Sequence, residues 1–369
     1  MKHDWEYKKL GEVASLVADG DWIESKDQSE DGIRLIQTGN IGNGEFKAKD
    51  DKPHYISEET FNRLGCTEIF EGDCLVSRLP DPVGRACIIP NTDSRMITAV
   101  DCSIIRFDKS YLPKTFVYYS RSSKYATLVS NNTTGSTRKR ISRKNLESII
   151  IPVPPLPIQE QIVSELDKVS EIIEKKKQQV KELDNLAQSI FYDMFGDPVE
   201  NEKGWEMKKV IEVVKLQRGY DLPVQSRCSS GGIPIYGANG IVGYHNQAMS
   251  LQGIITGRSG SLGEVFVSKV PFWPLNTSLF SIDTHGNDLV FLLYLMRNFD
   301  LKRFKQGAGV PTLNRNSFHG EKIINVPLSL QRSFAQKIEA IEKQKELINQ
   351  SIKEAQTLFD ARMDYWFGE

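Results

Sequence analysis

The sequence is poor in the features that mark secreted, membrane-spanning or strongly basic proteins. No apolar run approaches the roughly 18 residues of a membrane-spanning helix, and the N-terminus lacks the apolar core of a signal peptide. The net charge of −1 gives no support for a strongly basic binder of nucleic acid, although a basic surface would be sufficient for binding. None of the five cysteines stands in a C-x-x-C pair, and their odd number argues against a disulfide framework: Cys66, Cys74, Cys87, Cys102 and Cys228. We expect a soluble protein of the reducing cytoplasm that does not associate with membranes.

Signatures of catalysis and metal binding are also missing. The sequence contains no G-x-x-x-x-G-K-[ST] phosphate loop, no H-E-x-x-H motif and no G-x-S-x-G elbow. Its five histidines are scattered, with no pair at metal spacing: His3, His54, His245, His285 and His319. We therefore expect no catalytic residue, no metal site and no cofactor in this chain.

A long heptad pattern occurs near the middle of the chain and again at its end. Between residues 159 and 197 the apolar residues recur in steps of four and three, which is typical of a helix packed along a seam against a partner helix. Adding 172 to each number gives a second series of ten in which seven residues are apolar or aromatic, eight if Ala355 is counted, and Lys345 and Arg362 are polar, so the chain supplies a candidate partner helix itself. The predicted seam residues are Ile162, Leu166, Val169, Ile173, Val180, Leu183, Ile190, Met194, Phe334, Ile338, Ile341, Ile348, Ile352, Phe359 and Trp366.

The segments before the two helices are repeats of each other as well. Residues 5–13, WEYKKLGEV, reappear 200 positions later as WEMKKVIEV at 205–213. The offset has fallen to 172 where Ile141-Ser142-Arg143 matches Leu313-Asn314-Arg315, so the second copy is shorter by about 28 residues (200 minus 172). Two copies of one unit, each a globular part followed by a helix, make up the chain.

The order of these parts predicts the fold class. Each globular part has short β-type runs broken by Gly, Asn and Pro, and a helical stretch lies near 114–129 and again near 288–297. We expect an α+β protein with two similar mixed α/β domains joined by two long antiparallel helices that form a coiled coil, in a pseudo-twofold internal repeat. The predicted parts are a first domain at 1–156, a central spacer helix at 157–197, a second domain at 198–329 and a C-terminal spacer helix at 330–369.

The basic run Gly135–Lys144, GSTRKRISRK, is the most informative polar segment. An arbitrary cationic run is more often a solvated loop, but cations set among hydroxyls also suit contact with DNA phosphates. The equivalent place in the second copy keeps Gly309, Thr312, Asn314 and Arg315, and this repetition favours nucleic acid. A second segment, the glycine-rich run GRSGSLG at 257–263, leaves two interpretations open: a loop whose backbone amides hold an anion, or a tight turn only.

Arginine, asparagine and glutamine on loops are the residue types that read guanine and adenine edges in the major groove. Any single one of them is more often a structural or solvent-facing residue than a base contact. The candidate DNA-binding residues are Gln37, Asn40, Arg78, Arg138, Lys139, Arg140, Arg143, Asn239, Arg258, Ser259, Ser261, Gln306 and Arg315.

The combination of these motifs resembles the specificity subunit of type I restriction–modification systems, over essentially the whole chain. The residues that carry the resemblance are WEYKKLGE at 5–12, Gly72-Asp73, IIIPVPPLPIQEQI at 149–162, and their second copies at 205–213, 257–260 and 326–331.

That resemblance implies two target-recognition domains, each of which recognises one half of a split site in double-stranded DNA. The helical pair would set the length of the unspecific spacer between the halves. Two methyltransferase subunits, which bind S-adenosylmethionine and methylate adenine, would dock on this chain, and two restriction subunits with motor and nuclease activity can join them. The chain itself would be non-catalytic, in agreement with its missing motifs.

Two other functions compete with this one. A two-headed scaffold that binds proteins without DNA specificity would have the same repeat, and the salt dependence of DNA binding by the assembled complex separates the two. A stand-alone nuclease or methyltransferase is the third candidate, and the missing cofactor and metal motifs argue against it.

Overall fold

A computed structural model describes residues 4–135, 138–307 and 311–368 of the chain. The chain divides into two compact units, the first made of residues 1–175 with 352–369 and the second of residues 176–351. The predicted Gly309, together with Ser136 and Thr137 of the basic run, lies outside the described residues. In the part of the chain that the structure describes, no helix has the length and apolar character needed to cross a membrane.

The helices include two long ones, of 40 residues each. In chain order the helices are α1 Glu58–Leu64, α2 Pro113–Tyr119, α3 Ser123–Asn131, α4 Arg143–Glu147, α5 Leu156–Phe195, α6 Val210–Val213, α7 Leu289–Asn298 and α8 Leu328–Phe367. The predicted helix at 114–129 is therefore two helices, α2 and α3. The Ser122 hydroxyl accepts a hydrogen bond from the Tyr125 amide at 3.2 Å and caps a new start.

The strands are short, as the broken β-type runs predict. In chain order they are β1 Glu6–Lys9, β2 Ala14–Asp19, β3 Ile33–Ile36, β4 Tyr55–Ile56, β5 Glu68–Ile69, β6 Cys74–Ser77, β7 Ala86–Ile88, β8 Met96–Thr98, β9 Cys102–Phe107, β10 Thr133–Thr134, β11 Arg140–Ile141, β12 Ile150–Val153, β13 Glu206–Lys209, β14 Lys215–Arg218, β15 Ile233–Gly237, β16 Gly240–His245, β17 Gly253–Gly257, β18 Val265–Ser268, β19 Trp273–Pro274, β20 Ser278–Asp283, β21 Lys305–Gln306, β22 Thr312–Leu313 and β23 Lys322–Asn325.

The two units have the same sheet topology, which confirms the predicted internal repeat and the α+β class. A four-stranded antiparallel sheet has the order β2-β9-β6-β7 in the first unit and β14-β20-β17-β18 in the second. A second sheet contains a parallel pair, β3 with β8 and β15 with β19 respectively. Two-stranded ribbons, β1-β12 and β10-β11, correspond to β13-β23 and β21-β22. Each unit is thus built on two sheets and two ribbons.

Part of the difference in length between the copies lies between β4 and β6 of the first unit. In the first unit β4 is followed by α1 and β5 before the chain enters β6. In the second unit β16 ends at His245 and β17 begins at Gly253, so among the described residues the chain passes from one strand to the next without a helix.

A buried glutamine ties each long helix to the short helix beside it. Gln159, at the start of α5, accepts a hydrogen bond from the Leu112 amide at 2.7 Å and donates to the carbonyls of Ser110 and Pro154. Gln331, 172 positions later in α8, accepts from the Asp288 amide at 2.9 Å and donates to Asn287 and the carbonyl of Val326. Because both side chains are almost wholly buried, these bonds satisfy groups that water cannot reach.

All of the predicted seam residues are buried or half-buried. In the first unit Ile162, Leu166 and Ile173 of α5 share one core cluster with Phe359 and Trp366 of α8. Since the first half of α5 meets the end of α8 there, the two helices run antiparallel within the unit. The half-buried Val169 and Ile352 pack against the same cluster.

In the second unit the second half of α5 packs with the first half of α8. Phe334, Ile338 and Ile341 are buried in one cluster, and Leu183, Ile190 and Met194 pack against it. Val180 and Ile348 are half-buried. Fully buried Phe191 and Phe195, which are not seam residues, also face this cluster and pack against Phe291 of α7 at ring distances of 6.3 and 5.1 Å.

Ion pairs join the long helices at polar positions. In the first unit the Glu165 carboxylate accepts from Arg362 Nε at 3.0 Å and from Trp366 Nε1 at 3.1 Å. In the second unit Lys345 Nζ lies 2.6 Å from Asp184 and 2.9 Å from Glu342. A polar group at a seam position stabilises one register of the helices over its neighbours.

Candidate nucleic-acid interface

In the first unit the basic run forms part of a β-hairpin beside Arg78. The first hairpin, β10 and β11 with the described residues Gly135, Arg138 and Lys139 between them, presents Arg138 and Lys139 in an exposed position. The Ile141 amide, at its end, donates to the Arg78 carbonyl at 3.2 Å, and the Arg78 amide donates to the Asp101 carbonyl at 2.9 Å. The hairpin is therefore attached to the end of the central strand β6.

The second unit has the same arrangement beside Arg258. The second hairpin, β21 and β22 with the described residues Gly307 and Pro311 between them, is attached by the Leu313 amide, which donates to the Arg258 carbonyl at 2.8 Å. The Arg258 amide donates to the Thr277 carbonyl at 2.8 Å. Residues that are far apart in the sequence, Arg78 with the basic run and Arg258 with Gln306, are thus brought together at equivalent places.

The candidates Asn40 and Arg78 have structural roles. The Asn40 side chain, only 8% exposed, accepts from the Gln37 amide at 2.9 Å and donates to the carbonyls of Lys47 and Ala48. The buried Arg78 guanidinium pairs with Asp19. Both groups are committed to bonds within the unit, so in this structure they have no surface from which to read a base edge.

The cations of the basic run differ in their partners. Arg140 pairs with Asp101 at 3.1 Å, and Arg143 pairs with Glu147 one turn later in α4 at 3.2 Å. Arg138 and Lys139 are exposed and make no ion pair with any residue that the structure describes. These two side chains could therefore contact phosphates without breaking an ion pair within the protein.

The glycine-rich run at 257–263 has three of its amides in use. The amides of Arg258 and Ser259 both donate to the Thr277 carbonyl, and the Gly260 amide donates to the Pro311 carbonyl at 3.1 Å. These three amides are therefore not available to an anion. Ser259 is half-buried and Ser261 is exposed.

The remaining candidates are Gln37 in the first unit and Asn239, Gln306 and Arg315 in the second. Gln37 is half-buried and lines a cleft of about 290 Å³ that also contains Arg34, Lys49 and Lys52. Asn239 is exposed at the turn between β15 and β16, Gln306 is exposed in the second hairpin, and Arg315 is half-buried at the start of a 3-10 helix, Arg315–Ser317.

Arg315 lies next to a buried histidine. His319 is 7% exposed, and its Nε2 accepts a hydrogen bond from the Leu216 amide at 3.2 Å. Burial, followed by the positive charges of Arg315 and Lys215, lowers the pKa of His319 below its usual 6.5. This histidine is neutral near pH 7 and serves the packing of the unit.

Sequence reasoning missed several charged residues that bond to other side chains or to the backbone within each unit. Asp19 and Asp101 hold arginines in the first unit, and Asp221 accepts from both Arg218 and Asn276 in the second. Arg85 is buried and donates to backbone carbonyls of four residues, Ile41, Leu79, Pro82 and Thr38. The repeat gives no signal for Asp19, since the residues 199 and 200 positions later are Arg218 and Gly219, and neither is a carboxylate.

No group of three or more His, Cys, Asp or Glu side chains that could hold a metal ion occurs within residues 4–135, 138–307 and 311–368. Four of the cysteines are buried and Cys228 is exposed. Burial raises the pKa of Cys87 to about 12, which keeps this thiol protonated and unreactive.

Comparison with known proteins gives one consistent family. The model of the type I restriction modification DNA specificity domain matches residues 2–183 and again residues 202–357. The MjaIX type I restriction enzyme specificity subunit of Methanocaldococcus jannaschii is 23% identical over an alignment of 373 positions. The alignment spans 90% of this chain and 85% of that protein.

Two solved structures share the fold. The S subunit of a type I restriction–modification system from M. genitalium has a TM-score of 0.60 at 14% identity, over 99% of this chain and 96% of that one. A chain from a study of complex assembly and conformational transition in the type I R-M system has a TM-score of 0.59 at 16% identity, over 98% of this chain and 97% of that one.

Proposed function

The chain belongs to the family of type I restriction–modification DNA specificity domains, and from this premise we propose that its two units recognise the two halves of one divided DNA site. It is a specificity subunit, whose role is to recognise a DNA sequence. The proposal concerns how that recognition is divided within the chain.

The observation that carries the proposal is the same hairpin attachment in both units. Ile141 bonds to Arg78 and Leu313 bonds to Arg258 through equivalent backbone atoms. The exposed side chains on the two hairpins differ, with Arg138 and Lys139 on the first and Gln306 on the second. A shared frame with different surface residues suits two readers of different sequences, and we expect the two half-sites to differ.

The two long helices suit a spacer that fixes how many base pairs are left unread. A helix of 40 residues is about 60 Å long at 1.5 Å per residue, and α5 and α8 each have residues in both units. We propose that the seam between α5 and α8 sets the length of the unspecific gap.

The enzymatic partners are part of the same proposal. Two methyltransferase subunits, which carry S-adenosylmethionine, would methylate adenine, and two restriction subunits would add cleavage, in the cytoplasm where the DNA is. Leu186 and Leu358, which are equivalent at the offset of 172, are 48% and 52% exposed on α5 and α8. Equivalent exposed leucines in the two units suit the docking of two copies of one partner, which would cover them.

A genome-wide map of methylated adenine tests the proposal. Cells that express this chain with its methyltransferase partner are compared with cells that express the partner alone. We expect a motif in two parts with a fixed unspecific gap that appears only when this chain is present. If no motif appears, or the same motif appears without this chain, the DNA-recognition proposal is wrong and the protein scaffold becomes the better hypothesis.

Variants assign each half of the motif to one unit. Gln306→Ala should relax the bases of one half-site, and Gln37→Ala should relax those of the other, because the two side chains lie in different units. Relaxation of both halves by one of these substitutions would contradict the division of the site between units.

A further inference from the structure

The two hairpins carry their positive charge on opposite sides. At the offset of 172, the cations Arg138, Lys139 and Arg140 of the first hairpin correspond to Val310, Pro311 and Thr312 of the second. The second unit has its own cations before the turn instead, where Lys302, Arg303 and Lys305 correspond to Ser130, Asn131 and Thr133. The positive charge has therefore moved from the turn and exit strand to the entry strand and to the 3-10 helix Leu301–Phe304 that precedes it.

The structure places Lys302 over the glycine-rich turn. A Cβ atom built on Gly263 would lie between 2.5 and 3.0 Å from three stem carbons of Lys302, so the stem crosses this glycine at close range. Gly263 has a φ of +89°, which also favours glycine. Lys302 is exposed, so its stem covers Gly263 while its ammonium can remain in solvent.

Arg303 is held by two aromatic rings. Its guanidinium carbon lies 4.6 Å from the ring centre of Phe299 and 4.8 Å from that of Phe304, and these rings stack on each other at 5.6 Å. Stacking holds one face of the guanidinium and leaves its N–H edges able to donate. Arg303 is nevertheless exposed.

Lys305 continues the row into the second hairpin. It is the first residue of β21, is exposed, and is followed by the exposed Gln306. Within the described part of the chain, no carboxylate lies within the 4.0 Å ion-pair distance of Lys302, Arg303 or Lys305. Three neighbouring cations without a carboxylate partner repel one another, and a polyanion would relieve that repulsion.

We propose that Lys302, Arg303 and Lys305 are the phosphate-contacting residues of the second unit and hold the second hairpin against the DNA backbone. This inference rests on the proposed function. The three residues act on the phosphodiester chain and not on base edges, so they supply affinity and position while Gln306 and its neighbours supply specificity. The turn of the first hairpin has the corresponding role in the first unit.

The test uses the chain assembled with its methyltransferase partner and a fluorescent duplex that contains the methylated motif. Binding is measured by anisotropy at several salt concentrations for the wild type and for the triple variant Lys302→Gln, Arg303→Gln, Lys305→Gln. Each lost phosphate contact lowers the slope of log affinity against log salt by about 0.9, so we expect a decrease of up to about 2.7 and binding at least about tenfold weaker at 0.1 M salt. The methylated motif should keep its sequence.

Two variants serve as controls. Lys269→Gln removes an exposed cation beyond the opposite end of the β17–β18 pair, where Lys269 is bound to Glu339 at 2.6 Å, and it should leave the slope unchanged. Arg303→Lys keeps the charge but loses the planar stacking group, and it should keep most of the slope. Equal loss with Arg303→Lys and with the triple variant would indicate damage to packing and overturn the proposal.

The outcomes separate this inference from the function on which it rests. If the wild-type complex binds with a steep salt dependence and the triple variant has the same slope, the phosphate assignment is wrong and the DNA-recognition function stands. A change in the bases of one half-site would also overturn it, because the residues would then be base contacts. If the wild-type complex itself does not bind the duplex, the proposed function fails first.

Discussion

The amide of Leu313 donates a hydrogen bond to the carbonyl of Arg258 at 2.8 Å, and the residues 172 and 180 positions earlier, Ile141 and Arg78, make the same bond at 3.2 Å. Backbone atoms make both bonds, so the attachment does not depend on which side chains the hairpin carries. Exposed residues of each hairpin can therefore vary while the hairpin remains on the central sheet. This separation of frame from surface is what a recognition module needs.

The first hairpin should contribute affinity through Arg138 and Lys139. Replacing both with alanine removes two exposed cations that have no ion-pair partner among the described residues, so the salt slope of DNA binding should decrease by up to about 1.8. Anisotropy titrations of the assembled complex measure this slope. Lys109→Ala removes an exposed cation beyond the other end of β9 and should have no effect; an unchanged slope in the double variant would exclude phosphate contact by the first hairpin.

Gly20 in the first unit and Gly219 in the second should both be required for stability, because a side chain at either position would meet backbone carbonyls. A Cβ built on Gly20 would overlap the carbonyl oxygens of Thr98 and Ala99, and one built on Gly219 would overlap those of Pro274 and Leu275. Each substitution to alanine forces strands apart, and we expect a loss of at least about 2 kcal/mol in the free energy of unfolding.

Urea unfolding followed by circular dichroism measures this loss. Gly232→Ala is the control, because no atom lies within 4 Å of a Cβ at that position, and it should leave stability within about 0.5 kcal/mol of the wild type. Tolerance of alanine at either Gly20 or Gly219 would mean that the strands can separate at that point without loss of packing.

The internal repeat, the fold class and the long helices could be predicted because they depend on patterns that can be read from the order of residues alone. Heptad spacing marks the faces of α5 and α8 that meet, but it does not predict the burial of Phe191 and Phe195, which pack against both Phe334 of α8 and Phe291 of α7. The individual site residues were less predictable. Asn40 and Arg78 have the chemistry of base readers, but the Asn40 side chain bonds to the backbone of its own loop and Arg78 pairs with Asp19, which is far away in the sequence.

His319 should make the second unit sensitive to mild acid. Its pKa is lowered in the folded state, chiefly by burial, so between that pKa and the usual 6.5 the unfolded chain binds a proton that the folded chain does not. The stability from this group is complete above pH 6.5 and is lost as the pH falls through that window. Protonation would also remove the acceptor for the Leu216 amide.

His319→Gln, which keeps a possible acceptor and does not titrate, should flatten this dependence. The measurement is the urea midpoint of unfolding from about pH 7.5 down to about pH 5. His54→Gln changes an exposed histidine of the first unit and should leave the wild-type profile intact. A profile that stays as steep in His319→Gln as in the wild type would assign the acid sensitivity to other groups.

Glu165 should stabilise the first unit at neutral pH through its bonds to Arg362 and Trp366. Burial alone would raise the pKa of Glu165, but hydrogen bonds from Gln161, Arg362 and Trp366 outweigh it and the pKa is lowered. The stability from this carboxylate is therefore complete above its usual 4.5 and is lost as the pH falls through the lower, folded-state pKa. Because Glu165 and Arg362 are about one-third exposed, screening by solvent limits the effect of Glu165→Gln to about 1 kcal/mol at pH 7.

A comparison of Glu165→Gln with Glu171→Gln tests this account of the helix contact. Glu171 pairs within its own helix, with Lys175 at 2.6 Å, and both side chains are more than 60% exposed, so its loss should leave the free energy of unfolding close to that of the wild type. The difference between the wild type and Glu165→Gln should be present at pH 7 and should shrink below about pH 4.5, as Glu165 becomes protonated. A difference that persists unchanged at low pH would show that the contact acts through packing of the Arg362 and Trp366 side chains and not through the carboxylate charge.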